Sequence, residues 1–444
     1  MKEVDTLIIG GRVLLMDEKD TILPAGAVAV DRERITAVGP REEIREHFIG
    51  RAEIDARDSI IMPGLVNGHT HAAMTCFRGI ADDMELMEWL NRYIFPAEAR
   101  NVDPDLVYWG TRLACAEMIR SGTTTFCDMY IFEEETARAA KEAGMRCLIG
   151  EVLFDFPSPN FKTPAEGLAY TRSLLEKWAG DSLIRIVVEP HALYTCSPAL
   201  LKDSKALADE FQALYATHLL ENRSEAVNLR ERFGKPALTF LEEIGWLTDR
   251  FLAFHCVCME DEDIRRVADH GCRVIHNPES NMKLASGVAP VSAMRKQGIP
   301  MGLGTDGCAS NNDLDLFREM DTAAKLAKVA ALDPTILPAR DVLRMATCEG
   351  ARVLGMGRET GSLLPGKKAD IAIIGLNKPH LTPLYNEYSH LVYAVNGSDV
   401  DTVLINGQVV MQNRKLLTID EDEAMRRVRE IADRVRRSLE NQPR

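Results

Sequence analysis

The chain lacks the features that would send it into a membrane, through a secretory route or onto a nucleic acid. No stretch approaches the roughly 18 apolar residues that a membrane span needs, and the start, Met1-Lys2-Glu3-Val4-Asp5, has no apolar core of signal-peptide length. A cytoplasmic location without a membrane partner is expected. Positive charge is also short: 53 Lys and Arg face 67 Asp and Glu, a formal charge of −14. Binding a phosphate backbone needs clustered basic residues, so a small-molecule partner is expected and a nucleic acid is not. Ten cysteines are present but never as CxxC, which argues against a disulfide framework or a thiolate zinc cluster. Cys256 and Cys258, beside His255, are read as core packing.

What the chain does have is length and alternation. With 444 residues, 46% hydrophobic and 27% charged, it can bury one large core and a modest second unit. The first sixty residues read as short strands near 6–9, 12–15, 27–30, 34–38 and 53–55, separated by Gly-Gly, Asp-Glu and Gly-Pro turns. Similar texture returns at 369–374, 392–393, 400–405 and 408–411, around the hairpin signal Asn406-Gly407. Residues 1–60 and 366–420 are therefore expected to form one β-sandwich.

Between them, over 61–365, strand and helix alternate eight times, the pattern of an α/β, (β/α)₈ barrel. The strands are placed at 64–67, 123–127, 146–152, 184–189, 213–217, 251–254, 273–275 and 301–304, with helices such as 104–120, 133–143 and 260–270 between them. A last helix is expected within 421–444, its stripe of Met425, Val428, Ile431, Ala432, Val435 and Leu439 packing on the barrel or on a second subunit of a homo-oligomer.

Polar residues gather where barrel enzymes keep their chemistry, at the C-terminal ends of strands. Gly68-His69-Thr70-His71 follows the first strand, and residues two apart on a strand share a face, so both imidazoles can reach one ion. His218 ends the fifth strand, His255 the sixth, and Asp306, in Gly304-Thr305-Asp306-Gly307, the eighth. A lone histidine at a strand end is more often structural than a ligand. Five such residues at one barrel mouth are not explained by packing.

These motifs, with Met62-Pro63-Gly64-Leu65-Val66-Asn67 before the histidines and Ala216-Thr217-His218-Leu219-Leu220-Glu221, resemble the amidohydrolase superfamily, in its branch of cytosine, guanine and adenosine-type deaminases and chlorohydrolases. The resemblance covers nearly the whole chain. It implies that His69, His71, His218 and Asp306 bind one divalent metal, zinc by first choice with iron as the alternative, and that His255 faces the activated water. Binuclear members carry a bridging lysine after the fourth strand. Val188-Glu189-Pro190-His191 has none, so a single metal is expected. The other zinc-deaminase design, HxE followed by PCxxC, is absent.

Deamination needs a proton carried from water to the ring nitrogen, and Glu221, three residues after His218, is placed to carry it; Asp306 can take a second proton and His255 can orient the water. The segments 93–98 and 189–197 resemble the 5′-methylthioadenosine/S-adenosylhomocysteine deaminases. This implies that Glu98 accepts from the ribose hydroxyls, that His191 contacts the nucleoside, and that Trp89 is a candidate pocket wall or simple packing. Guanine deaminase or s-triazine chlorohydrolase activity is the alternative, and a non-enzymatic binding protein a remote one.

Some members place arginines after the third strand for the tail carboxylate of S-adenosylhomocysteine. Here 148–157 supplies Glu151 and Asp155 but no arginine, with Phe154 and Phe156 as an apolar wall. Methylthioadenosine or adenosine is thus expected to be preferred, unless Arg146, Lys162 or Arg172 swings in.

Overall fold

The computed structural model describes residues 1–440, so positions 441–444 of the expected C-terminal segment lie outside the described residues. Both chain ends build one pair of sheets. Lys2–Ile9, Gly26–Asp31, Arg34–Pro40 and Phe48–Asp55 make a four-stranded sheet. A seven-stranded sheet mixes N-terminal Arg12–Leu14, Ile22–Leu23 and Ser59–Pro63 with C-terminal Ile371–Gly375, Val400–Ile405, Gln408–Gln412 and Lys415–Leu416. The ends meet where Ser59–Pro63 runs antiparallel to Ile371–Gly375, with Ile61 opposite Ile373.

Ile371–Gly375 is apolar at successive positions because both its faces are covered. Ile371 and Ile373 join Ile8, Val28 and Leu404 between the sheets, whereas Ala372 and Ile374 belong to the barrel core. Residues 392–393, expected as a strand, instead close the helix Glu387–Tyr393. Asn386 caps it by accepting from the Ser389 amide at 2.9 Å, and Leu391 and Val392 are buried where the helix packs on Leu316–Ala331 and Ala339–Met345.

The barrel strands are Leu65–Thr70, Thr123–Tyr130, Arg146–Leu153, a fourth split into Ile184–Ile186 and Glu189–Pro190, then Tyr215–Leu219, Phe251–His255, Arg273–His276 and Met301–Leu303. Neighbours pair in parallel within each half. The halves join through bridges Val188 to Tyr215 and Ala192 to His218. On the other side the Asp306 amide donates to the His69 carbonyl at 2.9 Å, and Asn67 clamps Thr305 through two side-chain hydrogen bonds of 2.7 and 3.0 Å. Gly304 is required at this seam: a Cβ there would lie 2.8 Å from the His69 nitrogen.

The helix Glu421–Glu440 buries Ala424, Val428, Ile431 and Val435 against the barrel helices Pro104–Arg120 and Phe95–Asn101. Barrel and sandwich are also tied by one fully buried ion pair. The Arg146 guanidinium, at the start of the third barrel strand, donates to Asp370 at 2.8 and 3.2 Å. Asp370 also accepts from the Thr360 hydroxyl at 3.0 Å and the Asn406 amide at 2.7 Å.

Removing one partner of such a pair strands a buried charge, a loss of about 3–5 kcal/mol, whereas replacing both with apolar residues is often close to neutral. Asp370→Ala is expected to lower stability by about 3 kcal/mol or more in chemical denaturation, and Arg146→Met with Asp370→Leu to cost clearly less. Equal losses would remove the ion pair as the tie.

Candidate active site

Five strand-end residues converge at one point of the barrel mouth. His69 and His71 have ring centroids 4.8 Å apart, His69 and His218 5.0 Å, and His69 and His255 5.5 Å. Asp306 Oδ1 lies 3.5 Å from His69 Nε2 and 3.2 Å from His71 Nε2, and its Oδ2 lies 3.9 Å from His255 Nε2. Two overlapping sets, His69 with His218 and His255, and His69 with His71 and Asp306, hold ligand atoms within 4.8 Å of one another, a spacing that can hold one metal ion.

The donor chemistry fits a cation. His218 Nδ1 donates to the His191 carbonyl at 2.7 Å, and His71 Nδ1 donates to the Met129 carbonyl. Carbonyl oxygens only accept, so these rings carry their hydrogen on Nδ1 and leave the Nε2 lone pair free for a metal. His255 Nδ1 is held 2.9 Å from Asn281 Oδ1. His69 is fully buried and neither of its ring nitrogens has a hydrogen-bond partner, a costly arrangement unless an ion completes it. Burial alone would push Asp306 up, yet the histidines around it hold it well below the usual carboxylate range.

The backbone is strained where these residues sit. His255 at φ 69°, Asp306 at φ 63° and Leu220 at φ 51° adopt the left-handed region, which costs a non-glycine residue on the order of 1–3 kcal/mol. At Asp306 the outlay is offset by hydrogen bonds: Ser280 and Ser310 hydroxyls donate to Oδ2 at 2.6 and 2.9 Å, and the Gly307 amide donates to Oδ1 at 2.8 Å.

The metal-side residues open onto a cavity lined also by Glu221, Glu98, His191, Trp89 and Tyr130, with an apolar wall that includes Leu90, Phe95, Ile131 and Phe154. Glu221 is buried, and burial pushes its carboxyl up. Glu98 stands on the helix Phe95–Asn101, and burial pushes it up to about 7 against the lowering effect of the nearby Tyr130 hydroxyl. His191 Nδ1 lies 3.0 Å from the Thr195 hydroxyl, and burial pushes the ring down to about 3, so it is neutral. Trp89 is 6% exposed and lines the same cavity.

Two residues expected near the substrate tail are elsewhere. Glu151 turns outward, accepting from the Glu133 amide at 3.0 Å and from Asn160 at 2.9 Å. Asp155 is exposed and accepts from Ser197 at 3.1 Å. Strand alternation sends Gly150 and Val152 inward and Glu151 out, while Asp155 lies past the strand's end at Leu153. Cys256 is buried and Cys258 half-buried, and neither joins the metal-holding groups. The sequence reading missed Ser280, Asn281 and Ser310, although the polar run Asn277-Pro278-Glu279-Ser280-Asn281 directly after a buried strand was a usable signal.

A model of the amidohydrolase family matches residues 60–410, and the chain belongs to that family. A shorter match, at 26–48, is to an imidazolonepropionase-like composite domain. Over 439 residues, 99% of either chain, it is 67% identical to a 5-methylthioadenosine/S-adenosylhomocysteine deaminase 1 of Syntrophus aciditrophicus (strain SB). It is 53% identical over 428 residues, 96% of this chain and 98% of the other, to a deaminase described with the same two substrates in Syntrophobacter fumaroxidans (strain DSM 10017 / MPOB). Among solved structures it superposes on an adenosine deaminase from Xanthomonas campestris with bound zinc at a TM-score of 0.97 and 38% identity, covering 98% of this chain and 99% of that one.

If Ser280 and Ser310 orient the Asp306 ligand, the double variant Ser280→Ala, Ser310→Ala is expected to bind divalent metal about 10- to 100-fold more weakly, and His69→Ala to purify with well under one equivalent. Elemental analysis and competition with a chelator measure both. Unchanged affinity in the serine variant would leave Asp306 oriented by other groups.

Proposed function

We propose that this protein is a metal-dependent deaminase that converts adenine nucleosides to the inosine analogue and ammonia. The observation that carries this reading is the sharing of one cavity by the histidine and aspartate cluster, Glu221 and Glu98. The relatives described above support the substrate class, and the zinc of the solved neighbour supports zinc over iron. His69, His71, His218 and Asp306 would hold a single ion, whose Lewis acidity makes water a nucleophile at neutral pH.

The chain's own groups then do the positioning and the proton traffic. Glu221 takes a proton from the attacking water and delivers it to the ring nitrogen beside the attacked carbon. His255, fixed by Asn281, orients that water, and Asp306 takes the second water proton and passes it to the exocyclic amino group, which leaves as ammonia when the carbon–nitrogen bond breaks. Glu98 accepts from the ribose hydroxyls, and His191 and Trp89 flank the nucleoside. The buried walls exclude bulk water, which strengthens each of these electrostatic contacts.

An ammonia-release screen over adenosine, methylthioadenosine, adenine, guanine and an s-triazine tests the reading. Turnover is expected for the nucleosides, and Glu221→Gln is expected to keep its metal while losing at least about a hundredfold in turnover. Guanine or triazine as the better substrate, or an active Glu221→Gln, would contradict it.

The tail preference follows from the wall. Among the described residues no lysine or arginine lines the cavity, Arg146 is locked on Asp370, Arg172 on Glu210, and Lys162 Nζ lies 3.4 Å from the Ser158 carbonyl. Phe95 stands one helical turn before Glu98 and faces Phe154 and Phe156, at centroid distances of 6.3 and 6.0 Å. A thioether suits this wall, and a tail carboxylate entering it would be desolvated without a partner. A kcat/KM for methylthioadenosine at least about tenfold above that for S-adenosylhomocysteine is expected. The reverse ratio would place a tail-binding cation beyond the cavity.

A further inference from the structure

The short segment that presents Glu221 is held by a carboxylate that the mechanism does not use. The chain leaves the fifth barrel strand at Leu219 and starts the helix Arg223–Phe233 four residues later. In that gap Leu220 takes the left-handed φ of 51°, unfavourable for a residue with a Cβ. Leu220 is 4% exposed, so its side chain is needed for packing and glycine is no substitute.

Glu225 occupies the position of a helix-capping glutamate without making the capping contact. Asn222 is the N-cap, its Oδ1 accepting from the Glu225 amide at 2.8 Å. In a capping box the third-position glutamate reaches back to the amide of the N-cap residue itself. Here it reaches further: Glu225 Oε1 accepts from the Leu220 amide at 3.0 Å and Oε2 from the Glu221 amide at 2.7 Å. Both oxygens are therefore spent on the strained residue and on Glu221, and Glu225 is only 3% exposed. The other side of the segment is pinned to the loop after the sixth strand, where the Cys258 amide donates to the Leu220 carbonyl at 2.9 Å.

We propose that Glu225 is a positioning residue for the proton-transfer step, fixing the main chain of Leu220 and Glu221 so that the Glu221 carboxylate stays aimed into the cavity. This rests on the role given to Glu221 above. Hydrogen bonds that backbone amides donate to a carboxylate are the stronger, charge-assisted kind, and proton transfer is sensitive to displacements of the order of 1 Å. Glu225 neither lines the cavity nor joins the metal-holding groups, so its loss acts through the main chain of Leu220 and Glu221.

The test compares Glu225→Ala, Glu225→Gln, Asn222→Ala and Glu221→Gln in the full chain, reading kcat and KM on adenosine, bound metal, inosine affinity and melting temperature. Glu225→Ala is expected to lose at least about tenfold in kcat, with KM, inosine affinity and metal content close to those of the unaltered protein. Glu225→Gln, which keeps the shape and one acceptor oxygen, is expected to lose less, and serves if the alanine variant does not fold. Asn222→Ala removes the helix cap but leaves the grip on Glu221, so it is expected to lower the melting temperature while keeping most of kcat. Full kcat in both Glu225 variants, or an equal loss of kcat in Asn222→Ala, would reduce Glu225 to a helix cap and overturn the proposal. Retained activity in Glu221→Gln would overturn the reading beneath it and this inference together.

Discussion

The burial of four imidazoles and one carboxylate against each other at the barrel mouth is the constraint on which the rest of the structure depends. Packed this closely, and with neither ring nitrogen of His69 hydrogen-bonded, these groups are unfavourable for folding unless a cation binds them. Much of the nearby architecture serves to hold them there. Asn67 and Thr305 lock the first strand to the eighth, carbonyls of His191 and Met129 set two imidazole tautomers, and Ser280 and Ser310 steady Asp306. The left-handed backbone at His255 and Asp306 is conformational strain retained where the chemistry needs it.

Around this centre the cavity separates two kinds of work. On the proposed reading its polar groups act on the ring, while its aromatic and aliphatic wall limits what the sugar can carry. Glu98 stands between them, on a helix braced from outside by the C-terminal helix: Asn101 Nδ2 donates to the Ser438 hydroxyl at 2.8 Å, and Arg434 pairs with Asp103 at 2.8 Å. The last segment of the chain thus supports a proposed substrate contact without touching the cavity.

Most of the barrel was legible because its strands are apolar, short and separated by capped helices, and because a period of two places His69 and His71 on one face. The helix Glu387–Tyr393 was not, since Val392 and Tyr393 carry β-forming side chains and only tertiary packing decides for the helix. Site residues that bear a metal-binding or acidic group near a strand end could be read directly. Ser310 and Glu225 could not, because a serine or glutamate beyond a strand end looks like solvated surface until the fold brings it to Asp306 or to the Glu221 amide. Glu151 shows the converse: its charge was visible, but its direction depended on the strand face.

The central claim is that one metal ion in this cluster sustains hydrolytic deamination of adenine nucleosides. Titrating metal-free protein with zinc while following inosine formation from adenosine tests it most directly. Activity should rise in proportion to added zinc and level off at about one equivalent, as four ligands around one ion require. A plateau only at about two equivalents, or full turnover before any zinc is added, would contradict the account.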